Sequence, residues 1–133
     1  MNQYQKYKEA AIYSMSGPEL LFMLFDEAIS RLKKAEYALE DKEYKLFEDC
    51  LDRVARILRY LIEILDREQP LSWDLRRIYR YLLMDISKVK AGRDREKEEI
   101  ARIRHILSEL YDGFEKASRS LAGTPASSYG GYR

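Results

Sequence analysis

Apolar residues recur at three- and four-residue steps along four stretches of the chain. Such spacing places them on one face of an α-helix. The second stretch shows the rhythm clearly, and its apolar positions are Phe47, Leu51, Val54, Leu58, Leu61 and Leu65. No stretch shows the alternation of apolar and polar residues that is typical of a half-buried strand. The pattern therefore predicts an all-α protein.

Local start and stop signals set the predicted helix boundaries. Ser16 and Glu19 have the spacing of a capping box, in which each side chain satisfies a free backbone N–H. Asp41 and Ser72 are N-cap candidates for the second and third helices, and Gly92 suits a helix end. The predicted helices cover residues about 17–40, 42–68, 72–91 and 94–121.

Only a few residues separate these long helices, and short connections favour antiparallel neighbours. We therefore expect a single domain, residues 1–121, folded as an antiparallel up-down four-helix bundle. Residues 1–15 form a polar N-terminal arm that carries tyrosines, and residues 122–133 form a flexible Gly- and Ser-rich tail.

Composition and charge exclude some classes of function but do not identify one. The 133 residues carry a net charge of +1, which provides no general attraction for nucleic acid or anionic lipid. Cys50 is the only cysteine, so an intramolecular disulfide is excluded. The chain has neither a signal peptide pattern nor a long apolar run. We therefore expect a cytoplasmic protein that does not insert into membranes.

Candidate chemistry is sparse. His105 is the only histidine, and no nucleophile motif accompanies it. Helical bundles often bind two iron ions through Glu-x-x-His motifs, but Arg102 stands where that glutamate would be. All carboxylates fall on predicted polar faces. The sequence therefore predicts a protein that is not an enzyme and needs no cofactor or metal.

The helices carry more apolar residues than a bundle helix needs for its core-facing stripe. The additional residues are Phe22, Met23, Ile29, Ile57, Tyr60, Ile62, Ile64, Trp73 and Tyr81. Apolar surface that remains uncovered often forms a groove for a helix of a partner. We therefore expect the function to lie in surface contacts.

Several segments, taken in order, resemble the FliS family of flagellin secretion chaperones. They are Tyr4-Gln5, Ser16 to Ala28, Ile57 to Asp66, Trp73 to Leu82 and Leu107 to Phe114. Phe25 stands where the family pattern has Tyr, Glu27 where it has Gly, and Phe114 where it has Trp. The joint order and spacing of these segments, across four predicted helices, carry the resemblance.

The resemblance implies a bacterial cytoplasmic chaperone that binds the C-terminal segment of flagellin and prevents premature polymerisation before secretion. The expected groove contacts are Ile57, Tyr60, Ile64, Tyr79 and Tyr81. Tyr4 and Tyr7 of the arm are expected to compete for that surface or to support it.

Two alternatives remain open. The additional apolar surface could build a homo-oligomer, which would make the protein a self-associating structural bundle without a flagellin client. The cluster of Arg76, Arg77, Arg80 and Lys88 raises the further alternative of nucleic-acid binding. The nearly balanced total charge disfavours that alternative.

Overall fold

The computed structural model describes residues 17–92 and 97–122. They form four α-helices, α1 (Gly17–Glu40), α2 (Tyr44–Glu63), α3 (Leu71–Gly92) and α4 (Lys97–Ala122). The predicted all-α four-helix fold is confirmed. The predicted arm, Ser16 of the capping box, Asp94 and most of the predicted tail lie outside the described residues.

The helices form an up-down bundle in which neighbours along the chain are also neighbours in space. Contacts run from α1 to α2, α2 to α3 and α3 to α4, and α4 closes the ring against α1. The α1–α2 pair packs most extensively and the α3–α4 pair least. In the described part of the chain, no helix is long and apolar enough to cross a membrane.

The core follows the apolar stripes that the sequence predicts. In α2 the buried residues include Phe47, Leu51, Val54, Leu58 and Leu61. Full burial of each such side chain contributes about 1.5–3 kcal/mol relative to exposure. Leu65 is only partly buried, because α2 has already ended before it.

Phe25 of α1 connects three helices at the centre of this core. Its ring centroid lies 6.4 Å from that of Tyr79 in α3 and 5.6 Å from that of Phe114 in α4. Both separations fall within the range of favourable aromatic pairs. Phe25 is fully buried, and its ring brings no polar group that would need a hydrogen-bond partner in the core.

An ion pair crosses each of the four helix-helix seams. The pairs are Glu27–Arg53, Asp52–Lys90, Asp85–Arg102 and Glu36–Arg104. Ion pairs with exposed members contribute little to stability, because solvent screens them. Their main effect is to favour one axial register of each helix against its neighbour.

Asp85 corrects the expectation that all carboxylates lie on polar faces. It is 7% exposed, and the Arg102 guanidinium donates a hydrogen bond to it. Hydrogen bonds to Glu99 and Asp85 raise the pKa of Arg102. The arginine therefore compensates the buried carboxylate, a relation that the hydrophobic pattern alone does not reveal.

The α1–α2 connection differs from the predicted one. Lys42 has φ 58°, and the N–H groups of Lys42 and Glu43 donate to the carbonyls of Leu39 and Ala38 at 3.1 and 2.8 Å. This is a Schellman motif. It delays the start of α2 to Tyr44, and Glu43 rather than Asp41 occupies the N-cap position, without a side-chain cap bond.

The α2–α3 connection is also longer than predicted, because α2 ends at Glu63 rather than Glu68. The Asp66 carboxylate accepts a hydrogen bond from the Glu68 N–H at 3.0 Å, and the Asp66 carbonyl accepts one from the Ser72 hydroxyl. The prediction that Ser72 is an N-cap is therefore wrong. Its buried hydroxyl bonds back into the connection, and α3 already begins at Leu71.

The left-handed conformation of Lys42 generates a stability prediction. Lys42→Gly removes the strain of a side chain at positive φ, so it should stabilise the fold by about 0.5–1 kcal/mol despite the added freedom of the unfolded chain. Urea unfolding followed by circular dichroism measures the change. Lys33→Gly, at an exposed position within α1, is the control and should destabilise by about 1 kcal/mol. Equal destabilisation by both changes would contradict this explanation.

Candidate protein-binding surface

Several large apolar and aromatic side chains remain exposed although the bundle core is filled. They are Tyr37, Tyr60, Ile64, Leu71, Trp73, Tyr81 and Met84. Of the additional apolar residues noted in the sequence, Ile57 enters the core, and Phe22, Met23, Ile29 and Ile62 are partly buried. The bundle therefore covers only part of the apolar excess.

The predicted groove contacts divide into two groups. Tyr60, Ile64 and Tyr81 are exposed, at 39, 43 and 50%. Ile57 and Tyr79 are 3% and 1% exposed and belong to the core. A partner cannot contact these two directly unless the bundle opens. Tyr4 and Tyr7 lie outside the described residues.

Tyr60 lies on the side of α2 that faces α1, and Ile64 is the C-cap residue one turn further on. Arg53 marks this side, because its side chain bonds to Glu27 of α1 at 2.8 Å, and Tyr60 follows Arg53 by two helical turns. Because α1 and α2 are antiparallel, residues that follow Arg53 in α2 lie beside residues that precede Glu27 in α1. Among the latter, Leu20 and Met23 are partly buried. We call these four residues the α1–α2 edge.

Tyr81 lies elsewhere, at the loosely packed α3–α4 seam. The Arg102 guanidinium lies over its ring, 5.4 Å from the centroid, in a cation–π arrangement. One face of Tyr81 is thus occupied by a residue of the same chain. The structure therefore brings Tyr60 and Ile64 together but does not bring Tyr81 to them.

The outer face of α3 carries residues that the groove prediction missed. Trp73 and Met84 are both 62% exposed. Arg77 and Arg80 lie between them in the sequence, and the four residues follow one another at steps of four, three and four. They therefore share one face of the helix. The sequence identifies Trp73 as one of the additional apolar residues. For Met84 the only sequence evidence is its position outside the buried stripe of α3.

A small cleft separates the end of α2 from the start of α3. Its apolar walls are Ile62, Leu65 and Trp73, and Arg67, Ser72 and Arg76 complete the lining. The Arg76 Nε is buried and has no hydrogen-bond partner. The cleft therefore combines apolar walls with a positively charged side chain that has a hydrogen-bond donor without a partner.

Other features offer less for recognition. A larger concavity near the α1–α2 connection is lined by Leu39 and otherwise by charged side chains, Glu36, Glu40, Lys42, Lys97 and Glu98. The side chain of His105 is 70% exposed, and its Nε2 lies 3.0 Å from Glu109. Among the described residues, no group of three or more His, Cys, Asp or Glu side chains is placed to hold a metal ion.

The fold and these surfaces define a helical-bundle protein with exposed apolar side chains on several faces. Residues 1–121 match the model of the family described as flagellar protein FliS. The chain therefore belongs to the FliS family, as the sequence resemblance implied.

A solved structure described as a flagellar chaperone from bacteria shares the fold. The TM-score is 0.73 at 22% sequence identity, and the match covers 88% of this chain and 95% of the other. Comparison with curated proteins found no match.

Burial of Tyr79 generates a prediction for alkaline stability. Burial raises the pKa of Tyr79 above its ordinary value of 10.0. In the unfolded chain the phenol ionises near pH 10, whereas in the folded protein it stays protonated to higher pH. Ionisation of Tyr79 therefore does not affect stability below about pH 10. Above that pH it lowers the free energy of unfolding as pH rises. Tyr79→Phe should therefore reduce the loss of stability between about pH 9.5 and 11.5, measured by urea unfolding at each pH.

Tyr37→Phe, at an exposed position, is the control for this experiment and should leave the pH dependence as it is in the unmodified protein. An identical pH dependence for the Tyr79→Phe protein would contradict the assignment of Tyr79 to the core.

Proposed function

We propose that this protein is a flagellin export chaperone that binds the C-terminal segment of flagellin before secretion. Membership of the FliS family supports a role in flagellum assembly. The shared fold with a protein described as a flagellar chaperone agrees with this role. Such a chaperone would act in the bacterial cytosol and would need no cofactor.

The observation that carries the proposal is the exposure of large apolar residues on a bundle whose core is complete. Exposed aromatic and aliphatic groups at helix-helix edges are typical of sites that receive an amphipathic helix. A flagellin segment bound in this way would hide the apolar face that it uses to pack in the filament. Binding would thereby prevent self-association of flagellin.

The α1–α2 edge is the proposed primary contact. Tyr60 offers a rigid amphipathic surface and Ile64 an aliphatic one, while Leu20 and Met23 supply partly buried neighbours. Ile57 and Tyr79 contribute from beneath the surface, since they help to hold the helices that form it. Tyr81 would contact the client only if the segment extended around the bundle to the α3–α4 seam.

The N-terminal arm has a proposed part in the same surface. Tyr4 and Tyr7 precede α1 closely in sequence, and α1 contributes to the edge at its N-terminal end. An arm attached at that point can reach the α1–α2 edge over a short distance. It would either compete with flagellin or close over the bound segment.

Paired substitutions at the α1–α2 edge test the proposal. Tyr60→Ser together with Ile64→Asp should weaken binding of a flagellin C-terminal peptide at least about tenfold, because an apolar contact is lost and a charge is introduced. Isothermal titration measures the affinity, and circular dichroism should show unchanged helicity.

Tyr37→Ser is the control, because it removes another exposed tyrosine, which lies toward the opposite end of α1. It should leave the affinity unchanged. Ile57→Asp should instead unfold the protein, since it buries a charge. Peptide binding that survives the Tyr60 and Ile64 changes would remove this edge from the site.

Sedimentation of the protein without peptide tests the structural alternative. The proposal predicts a monomer, or at most weak self-association, that forms a stoichiometric complex with the peptide. A tight oligomer that the peptide leaves unchanged would instead identify the exposed residues as contacts between copies of this chain.

A further inference from the structure

The outer side of the α2–α3 pair carries a group of positively charged side chains close to exposed apolar residues. Arginines at the helix seams, such as Arg53 and Arg104, pair with carboxylates of neighbouring helices. Within residues 17–92 and 97–122, no ion pair involves the cations of this outer side. These cations are Arg67, Arg76, Arg77, Arg80 and Lys88. They are therefore available to an external anion.

Apolar side chains accompany these cations. Trp73 and Met84 lie on the same helix face as Arg77 and Arg80, at a separation of about 16 Å along the helix axis. Trp73 also forms one wall of the cleft with Ile62 and Leu65. An exposed apolar contact thus marks each end of a positively charged strip, and one of them borders a cleft. We call this surface the basic α3 face.

The basic α3 face and the α1–α2 edge lie on different sides of α2. Arg53 and Tyr60 are on the side that contacts α1, as the Glu27–Arg53 pair shows. Asp52, which pairs with Lys90 of α3, marks the other side, and Ile62 extends that side into the cleft. A ligand on one surface therefore leaves the other open.

We propose that the basic α3 face is a second docking surface, which binds an acidic amphipathic helix of a partner protein. Its apolar residues would contact Trp73 with the cleft at one end and Met84 at the other. Carboxylates between them would pair with Arg77 and Arg80, since guanidinium groups bind carboxylates through two parallel hydrogen bonds.

The same features favour a protein helix over nucleic acid. Base stacking needs exposed ring faces in series. On this surface Trp73 supplies one such face and Met84 supplies none, while Arg102 occupies one of the two faces of the Tyr81 ring. Two apolar contacts three turns apart instead match the periodicity of an amphipathic helix.

Trp73 provides the readout, because it is the only tryptophan in the chain. The probe is a synthetic helical peptide of about 18 residues, with leucines eleven positions apart and glutamates between them on the same face. A second peptide carries glutamine in place of each glutamate. The glutamate peptide should shift Trp73 emission and bind at least about tenfold more tightly at about 0.1 M salt.

Charge reversal locates the site. Arg77→Glu with Arg80→Glu should weaken binding of the glutamate peptide at least about tenfold, whereas Lys33→Glu with Lys34→Glu makes the same charge change on exposed α1 positions and should have little effect. Equal loss in both variants, or equal affinity for the two peptides, would overturn the proposal. Tighter binding of a single-stranded RNA of matched charge would overturn it in favour of nucleic acid.

Two further titrations keep this proposal distinct from the flagellin proposal. The protein with Tyr60→Ser and Ile64→Asp should still bind the glutamate peptide. The protein with Arg77→Glu and Arg80→Glu should bind the flagellin peptide as the unmodified protein does. Loss of flagellin binding in the charge-reversed protein would show that the two surfaces are one site, which contradicts a second docking surface.

Discussion

The aromatic contacts of Phe25 are the interaction on which the rest of this structure depends. Phe25 meets Tyr79 and Phe114, so one side chain of α1 fixes the positions of α3 and α4. Together with the buried stripe of α2, these contacts fill the interior. Ion pairs at the seams then favour one register among the arrangements that such a core allows, although each contributes little to stability.

A filled core determines what remains outside. Because Ile57 occupies the interior between α1 and α2, Tyr60 and Ile64 on the same side of α2 have no space within it and stay exposed. The same reasoning applies to Trp73 and Met84, which lie opposite the buried stripe of α3. Exposure of these residues follows from helix geometry rather than from poor packing. This geometry supplies the exposed apolar surface on which the proposed contact with flagellin depends.

Much of the fold could be predicted from the sequence, because three- and four-residue periodicity directly reports the buried face of each helix. Details that depend on other interactions could not. The Schellman motif at Lys42 uses a lysine where glycine is usual, and Ser72 bonds to the preceding connection rather than to its own helix.

The exposed residues of the proposed groove are harder to predict than the helices. Ile57 and Tyr60 are three residues apart on adjoining parts of the helix surface, and only the position of the neighbouring helix decides that the first is buried and the second exposed.

Backbone chemical-shift mapping by NMR, with labelled protein and an unlabelled flagellin C-terminal peptide, tests the central claim most directly. Binding by helix-in-groove contact predicts that the largest shifts cluster around Tyr60, Ile64 and the N-terminal part of α1, while core amides such as that of Leu51 change little. Absence of shifts at this edge, or a general collapse of the core signals, would contradict capture of flagellin by an intact bundle.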